Sequence, residues 1–197
     1  MSQIFGDFKE DLTKKQEHLT IVFSPVSFSL KERWRNNSLS ADFMADYFAN
    51  FIPGDEGAPT ETSTRAQVKS AISYIANELL ENAVKFHYAP ECNISLTLQL
   101  DRNELVFLAT NSIDPQSISK FQAFIQQLIN EDPGELYFRQ LEQNALDENS
   151  SSSGLGLLTM IEDYGTRVGW KFEAVPDQPE AIIVTTMVKV VIQAATK

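Results

Sequence analysis

A carboxylate, an amide and an ammonium stand four and three residues apart in Glu78-Leu-Leu-Glu-Asn82-Ala-Val-Lys85-Phe86. Such a trio can take up a proton, exchange hydrogen bonds and bring positive charge to an anion. The spacing brings them together only if the stretch is helical. Val68, Ile72, Ile75, Leu79, Ala83 and Phe86 recur at helical intervals, which predicts a helix over residues 65–86 with one buried stripe. At 100° per residue, Glu78, Asn82 and Lys85 then share a face on the border of that stripe. They would line the rim of the core, where a ligand can meet them. A solvated edge of an ordinary amphipathic helix is the alternative.

A second stretch with chemical potential is Ser153-Gly154-Leu155-Gly156-Leu157, which opens a predicted helix over 155–164 closed by Gly165. Glycines there let a ligand approach the backbone, and a helix start offers free N–H groups to an anion. A tight turn is the plainer reading of either glycine.

The elements that must position these groups follow from periodicity. Residues 1–17 read as a short helix or a tail, and Thr20-Ile-Val-Phe-Ser24 as a strand. Residues 27–37 read as a loop or helix carrying a basic cluster of Lys31, Arg33 and Arg35 around Trp34. Ser40 is the expected N-cap of a helix over 41–52 whose stripe is Phe43, Tyr47, Phe48 and Phe51, suited to a core or a dimer interface. Residues 53–64 hold two prolines and two glycines and read as a loop. After the long helix, Ile94, Leu96, Leu98 and Leu100 alternate with polar residues, which predicts a strand with one wet face. Asp101-Arg-Asn103 turns the chain into a second strand over 104–110, and Asn111-Ser-Ile-Asp114-Pro leaves it. Ile118, Phe121, Ile125 and Leu128 mark a helix over 117–130. Pro133-Gly134 breaks it ahead of a short helix over 136–146, and a serine run occupies 147–153. Strands over 167–175 and 181–192, joined by a turn at 176–180, complete the chain. A hairpin following a helix predicts an antiparallel sheet with helices on one face.

Composition narrows the function. Sixteen Lys and Arg against 27 Asp and Glu give a formal net charge of −11. That argues against a general nucleic-acid binder, which needs clustered cations, but leaves room for a local nucleotide pocket. Cys92 is the only cysteine, so no intrachain disulfide forms, and its expected role is a small apolar residue. No segment reaches the length of a membrane span, and a soluble cytoplasmic protein is the expectation.

The two motifs, in this order and with a hairpin between them, resemble the GHKL ATPase superfamily of histidine kinases, gyrase-type ATPases, the heat-shock-ninety chaperones and the anti-sigma-factor serine kinases. Glu78 to Lys85 looks like its N-box, and Gly154-Leu-Gly-Leu157 with Ile161 like its second glycine box. The resemblance covers residues 68–192 and implies the Bergerat fold, an α+β two-layer sandwich with a mixed, mostly antiparallel sheet and helices on one face. Residues 1–64 would be a strand-and-helix extension packed on a histidine-kinase-like ATPase domain at 65–197. By this resemblance Asn82 would hold Mg²⁺ through its side-chain oxygen and Glu78 would orient or deprotonate the attacking hydroxyl. Lys85 would touch a phosphate or ribose or cap its helix. Gly154, Leu155, Gly156 and Leu157 would wrap the phosphates of ATP, under a lid at 117–153.

The superfamily's Asp-x-Gly-x-Gly box, whose aspartate reads the adenine amine, has no glycine counterpart here. Asn111 stands nearest that aspartate, with Asp114 three residues later. The two histidines, His18 and His87, are expected to face solvent and not to act as phosphoacceptors. The small architecture is similar to the anti-sigma-factor and SiaB-like serine kinases of bacterial partner-switch systems. It implies phosphorylation of a serine or threonine on a small antagonist protein, with a homodimer through the N-terminal strand and the 41–52 helix expected by analogy. A non-catalytic binding module of the same fold, regulating a partner by docking, is the competing expectation.

Overall fold

The computed structural model describes residues 2–11, 17–24, 30–52, 63–101, 103–146, 154–175 and 178–192. Six strands form one sheet: β1 (Gln3–Gly6), β2 (Glu17–Phe23), β3 (Ile94–Asp101), β4 (Glu104–Ile113), β5 (Arg167–Val175) and β6 (Gln178–Val191). Their order is β1-β5-β6-β4-β3-β2, and every pairing is antiparallel. Among the described residues five α-helices accompany them: α1 (Leu30–Ala49), α2 (Thr64–Lys85), α3 (Ile118–Asn130), α4 (Pro133–Leu146) and α5 (Leu155–Tyr164). The fold is an α+β sandwich.

The core lies between one face of the sheet and the helices. Leu96, Leu98, Phe107 and Trp170 on the strands pack in one cluster with Met44 and Phe48 of α1 and Ile72, Ile75, Leu79 and Leu80 of α2. Ser63 caps α2 by accepting from Ala66 N at 3.3 Å. Arg65 donates to the Ile52 carbonyl at 3.0 and 3.2 Å and so ties the end of α1 to the start of α2. Gly165 ends α5 in the left-handed conformation, φ 59°, where a side chain would be strained.

Several elements differ from the sequence expectation. Ser40 is not an N-cap, because α1 begins ten residues earlier at Leu30. Its hydroxyl instead donates to the Asn36 carbonyl at 2.7 Å, the back-bond of a mid-helix serine. The 43–51 aromatic stripe divides: Phe48 is fully buried, whereas Phe43 and Phe51 are exposed. Phe86 leaves the buried stripe because α2 stops at Lys85, and half of it is exposed. Pro133 opens α4, with Asp132 accepting from Glu135 N at 3.0 Å. Strand β4 continues through Asn111, Ser112 and Ile113, which pair with Val184, Ile183 and Ile182 of β6. Of the expected 53–64 loop, Ser63 and Thr64 are the cap and first residue of α2, and of the expected 176–180 turn, residues 178–180 belong to β6. Residues 53–62, the serine run at 147–153, residues 176–177 and the side chains of the 31–35 basic cluster lie outside the described residues.

Residues 3–6, expected as helix or tail, form an edge strand on β5. Beyond β1, Asp7 and Glu10 meet Arg167, Lys189 and Lys171 on β5 and β6. Asp7 leads this segment. Its N–H donates to the Val168 carbonyl at 2.9 Å, and its carboxylate pairs with Lys189, which is 1% exposed, and with Arg167. Burial alone would raise the Asp7 pKa, but the hydrogen bond and charge of Lys189, with Arg167 and Lys9, hold it below its ordinary 3.8. A depressed carboxyl pKa adds stability above the unfolded value, and that stability is lost as pH falls through the folded one. Asp7→Ala is therefore expected to cost about 2–3 kcal/mol at neutral pH, since it strands a buried ammonium beside a carboxylate that was still partly wetted. Urea melts should show that cost shrinking below pH 4; equal stability of the two proteins at pH 7 would refute it.

Candidate functional site

The β4–β6 floor, the C-terminal end of α2 and the α3–α5 helices enclose a cavity of about 720 Å³. That lies within the range of small-molecule and cofactor sites. Ala109, Asn111 and Ile113 of β4 and Val184 and Thr186 of β6 form its floor. Asn82, Lys85, Phe86, His87 and Tyr88 form one wall. Lys120, Phe121, Phe124 and Gln127 of α3, with Gln140 and Gln143 of α4, close the other side, and Gly154 and Leu157 enter from the start of α5.

Local structure explains why the α2 wall stands where it does. The buried Ser112 hydroxyl on β4 accepts from Ala89 N at 2.7 Å and Tyr88 N at 3.2 Å. Its hydrogen is thereby assigned to His87 Nδ1, 3.1 Å away. One serine thus pins the exit of α2 to the sheet and holds Lys85 to Tyr88 at the cavity rim. His87 is part of this anchor and not a solvent-facing side chain.

Six of the nine sequence-derived site residues line the cavity: Asn82, Lys85, Asn111, Asp114, Gly154 and Leu157. Glu78, Leu155 and Gly156 do not. No hydrogen bond holds the Asn82 carboxamide among the described residues, so its oxygen remains available to a ligand. Asn111 is buried, and its Nδ2 donates to the Ser112 carbonyl at 2.7 Å. That contact sets the amide orientation and leaves Oδ1 as the accepting end. Asp114 is engaged locally: its carboxylate accepts from Gln116 N at 2.9 Å and from the Ser117 hydroxyl at 3.4 Å, capping a single 3₁₀ turn at Pro115–Ser117. The Lys85 ammonium lies 5.2 Å from the Phe86 ring centroid.

Glu78 lies against Gly156 on α5. Burial, and secondarily the negative charge of Glu81, raise its pKa above the ordinary 4.5. A carboxylate so placed is a stronger base than an exposed one.

Sequence reasoning missed Lys120, the second cation on the cavity wall. Its helix was read for its apolar stripe, and nothing local distinguishes Lys120 from a surface lysine; only the packing of α3 on β5, through Phe121 against Trp170 and Phe172, brings it to the cavity that Lys85 also lines. The cavity wall thus carries two lysines against one carboxylate, Asp114, which is already engaged. In a chain of net charge −11 this is a local reversal of sign that favours an anionic ligand. Among the described residues no three of His, Cys, Asp and Glu converge on a metal position, and no helix is long and apolar enough to cross a membrane.

Fold and site together define an α+β sandwich with a large cavity, cationic at its wall, between the sheet and the C-terminal helices. No protein-family model and no curated protein matches the sequence. Among solved structures, a chain of the crystal structure of the SiaB–SiaC complex from Pseudomonas aeruginosa shares the fold, with a TM-score of 0.56 at 15% identity. The alignment covers 87% of this chain and 89% of that one.

Proposed function

We propose that this protein is an ATP-binding regulatory protein of the GHKL type that phosphorylates a serine or threonine on a small antagonist protein in a bacterial partner-switch system. The observation that carries the proposal is the cavity itself, a nucleotide-sized space with Lys85 and Lys120 on its wall and the start of α5 at its side. Its neighbour of similar fold is a complex of two different proteins, which fits a role exercised on a partner.

The residues present fit a magnesium nucleotide. The Asn82 oxygen is a hard donor open to the cavity, and Mg²⁺ held by few protein groups completes its shell with phosphates and water. Bound there, the cation would neutralise phosphate charge. Lys85 and Lys120 would meet phosphate oxygens, and the N–H groups at the start of α5 would face them. Asn111 Oδ1 would accept from the adenine amine. The partner's hydroxyl oxygen forms the new bond to the γ-phosphorus as the bond from that phosphorus to the β–γ bridging oxygen breaks. ADP leaves with that electron pair, and Glu78, which stands against Gly156 outside the cavity lining, takes the hydroxyl proton through one intervening water.

One observation favours a second reading, a docking module without turnover. Residues 109–113 remain paired strand, with no glycine, where the superfamily's adenine box would open. Calorimetric titration with ATP, with and without Mg²⁺, separates the two readings. Magnesium-dependent binding with Kd near 1 μM, about −8 kcal/mol, is expected. No heat at millimolar nucleotide would remove the kinase reading and leave the docking module.

A further inference from the structure

The first turn of α5 has two sides. Gly154 and Leu157 open into the cavity, whereas Gly156 does not line it. A Cβ added at Gly156 would collide with Glu78 Oε2 and stand 3.0 Å from Glu78 Cδ and 3.7 Å from Cγ. The three nearest atoms all belong to that one side chain. Backbone conformation does not call for a glycine here, because the described glycines with positive φ are Gly6 and Gly165. Space does: the Glu78 carboxylate occupies the volume that a side chain on residue 156 would fill.

We infer that Gly156 is a positioning residue for Glu78: its missing side chain is the seat of the carboxylate, so the α5 backbone sets where that carboxylate stands. The inference rests on the reading of Glu78 as base and adds how its placement is controlled. The same turn borders the cavity through Gly154 and Leu157, so a cavity occupant that shifts the turn also shifts the seat.

The test uses the ligand-free full chain and follows the Glu78 carboxyl carbon by ¹³C NMR during a pH titration, with Glu78→Gln assigning the signal. Glu81 on α2 acts electrostatically on Glu78, and Glu78 in turn acts on Tyr74 of α2, as do Tyr164 and Asp163 of α5. All four are unchanged in the variants compared. In Gly156→Ala the atoms that collide are the free end of a flexible side chain. The protein is therefore expected to fold, the carboxylate to move into water, and the midpoint to fall toward 4.5. Gly154→Ala meets the Phe124 ring instead and is expected to leave the Glu78 midpoint as in the wild type. An unmoved midpoint in folded Gly156→Ala, or the same shift in both variants, overturns the inference. Should Gly156→Ala not fold, the Glu78→Ala/Gly156→Ala pair should, because the seat is then vacant; failure of both also overturns it. A wild type that binds no nucleotide but shows the Gly156-specific shift would sink the kinase reading and leave the seat standing.

Discussion

Glu78→Gln is expected to lower phosphoryl transfer to the partner hydroxyl by about 10²–10⁴-fold, the usual contribution of a general base. Nucleotide affinity should be nearly unchanged, since Glu78 does not line the cavity. The same substitution should stabilise the fold at neutral pH. The folded carboxyl has its pKa raised above 4.5 by burial and by Glu81. Between 4.5 and that raised value the native state holds more protons than the unfolded chain, so stability falls as pH rises through the window. Above the window the half-buried charge remains a standing cost, which an uncharged glutamine lacks. Thermal melts should therefore place the variant above the wild type at pH 7.5 and bring the two together near pH 4. Retained transfer would refute the catalytic role. A lower melting point at pH 7.5 would refute the electrostatic account of the site.

Asn82→Ala is expected to weaken magnesium-dependent ATP binding by about 100-fold, ~3 kcal/mol, through loss of a ligand oxygen. Stability should change little, because the carboxamide faces the cavity and no hydrogen bond holds it among the described residues. Calorimetry in EDTA gives the internal control: without the cation, wild type and variant should bind nucleotide alike. An unchanged affinity in magnesium would remove Asn82 from the cation site, and a large fall in melting temperature would make the residue structural.

What the sequence determined by itself is whatever depends on local periodicity. The alternation of Ile94 to Leu100 predicted β3, and the apolar interval from Val68 to Ala83 predicted α2; both formed within a residue or two of expectation. Gly165 predicted the end of α5 for a stereochemical reason that needs no neighbour. The helical interval between Asn82 and Lys85 likewise sufficed to put both on one wall of the cavity.

Only the tertiary structure decided matters that depend on distant partners. The four residues of β1 carry too little pattern to announce a strand, and their partner β5 lies more than 160 positions away. Asn111 and Ser112 looked like the exit from β4 because polar residues commonly end strands, yet β6 keeps them paired and Ser112 gathers the α2 exit. Lys120 became a cavity cation only when α3 packed against the sheet. Glu78 shared its α2 face with Asn82 as the spacing required, but whether its carboxylate met the cavity or Gly156 depended on where α5 packs. Local spacing sets direction along one helix; which surface a side chain meets is set by contacts between segments far apart in the chain, and no local pattern encodes those.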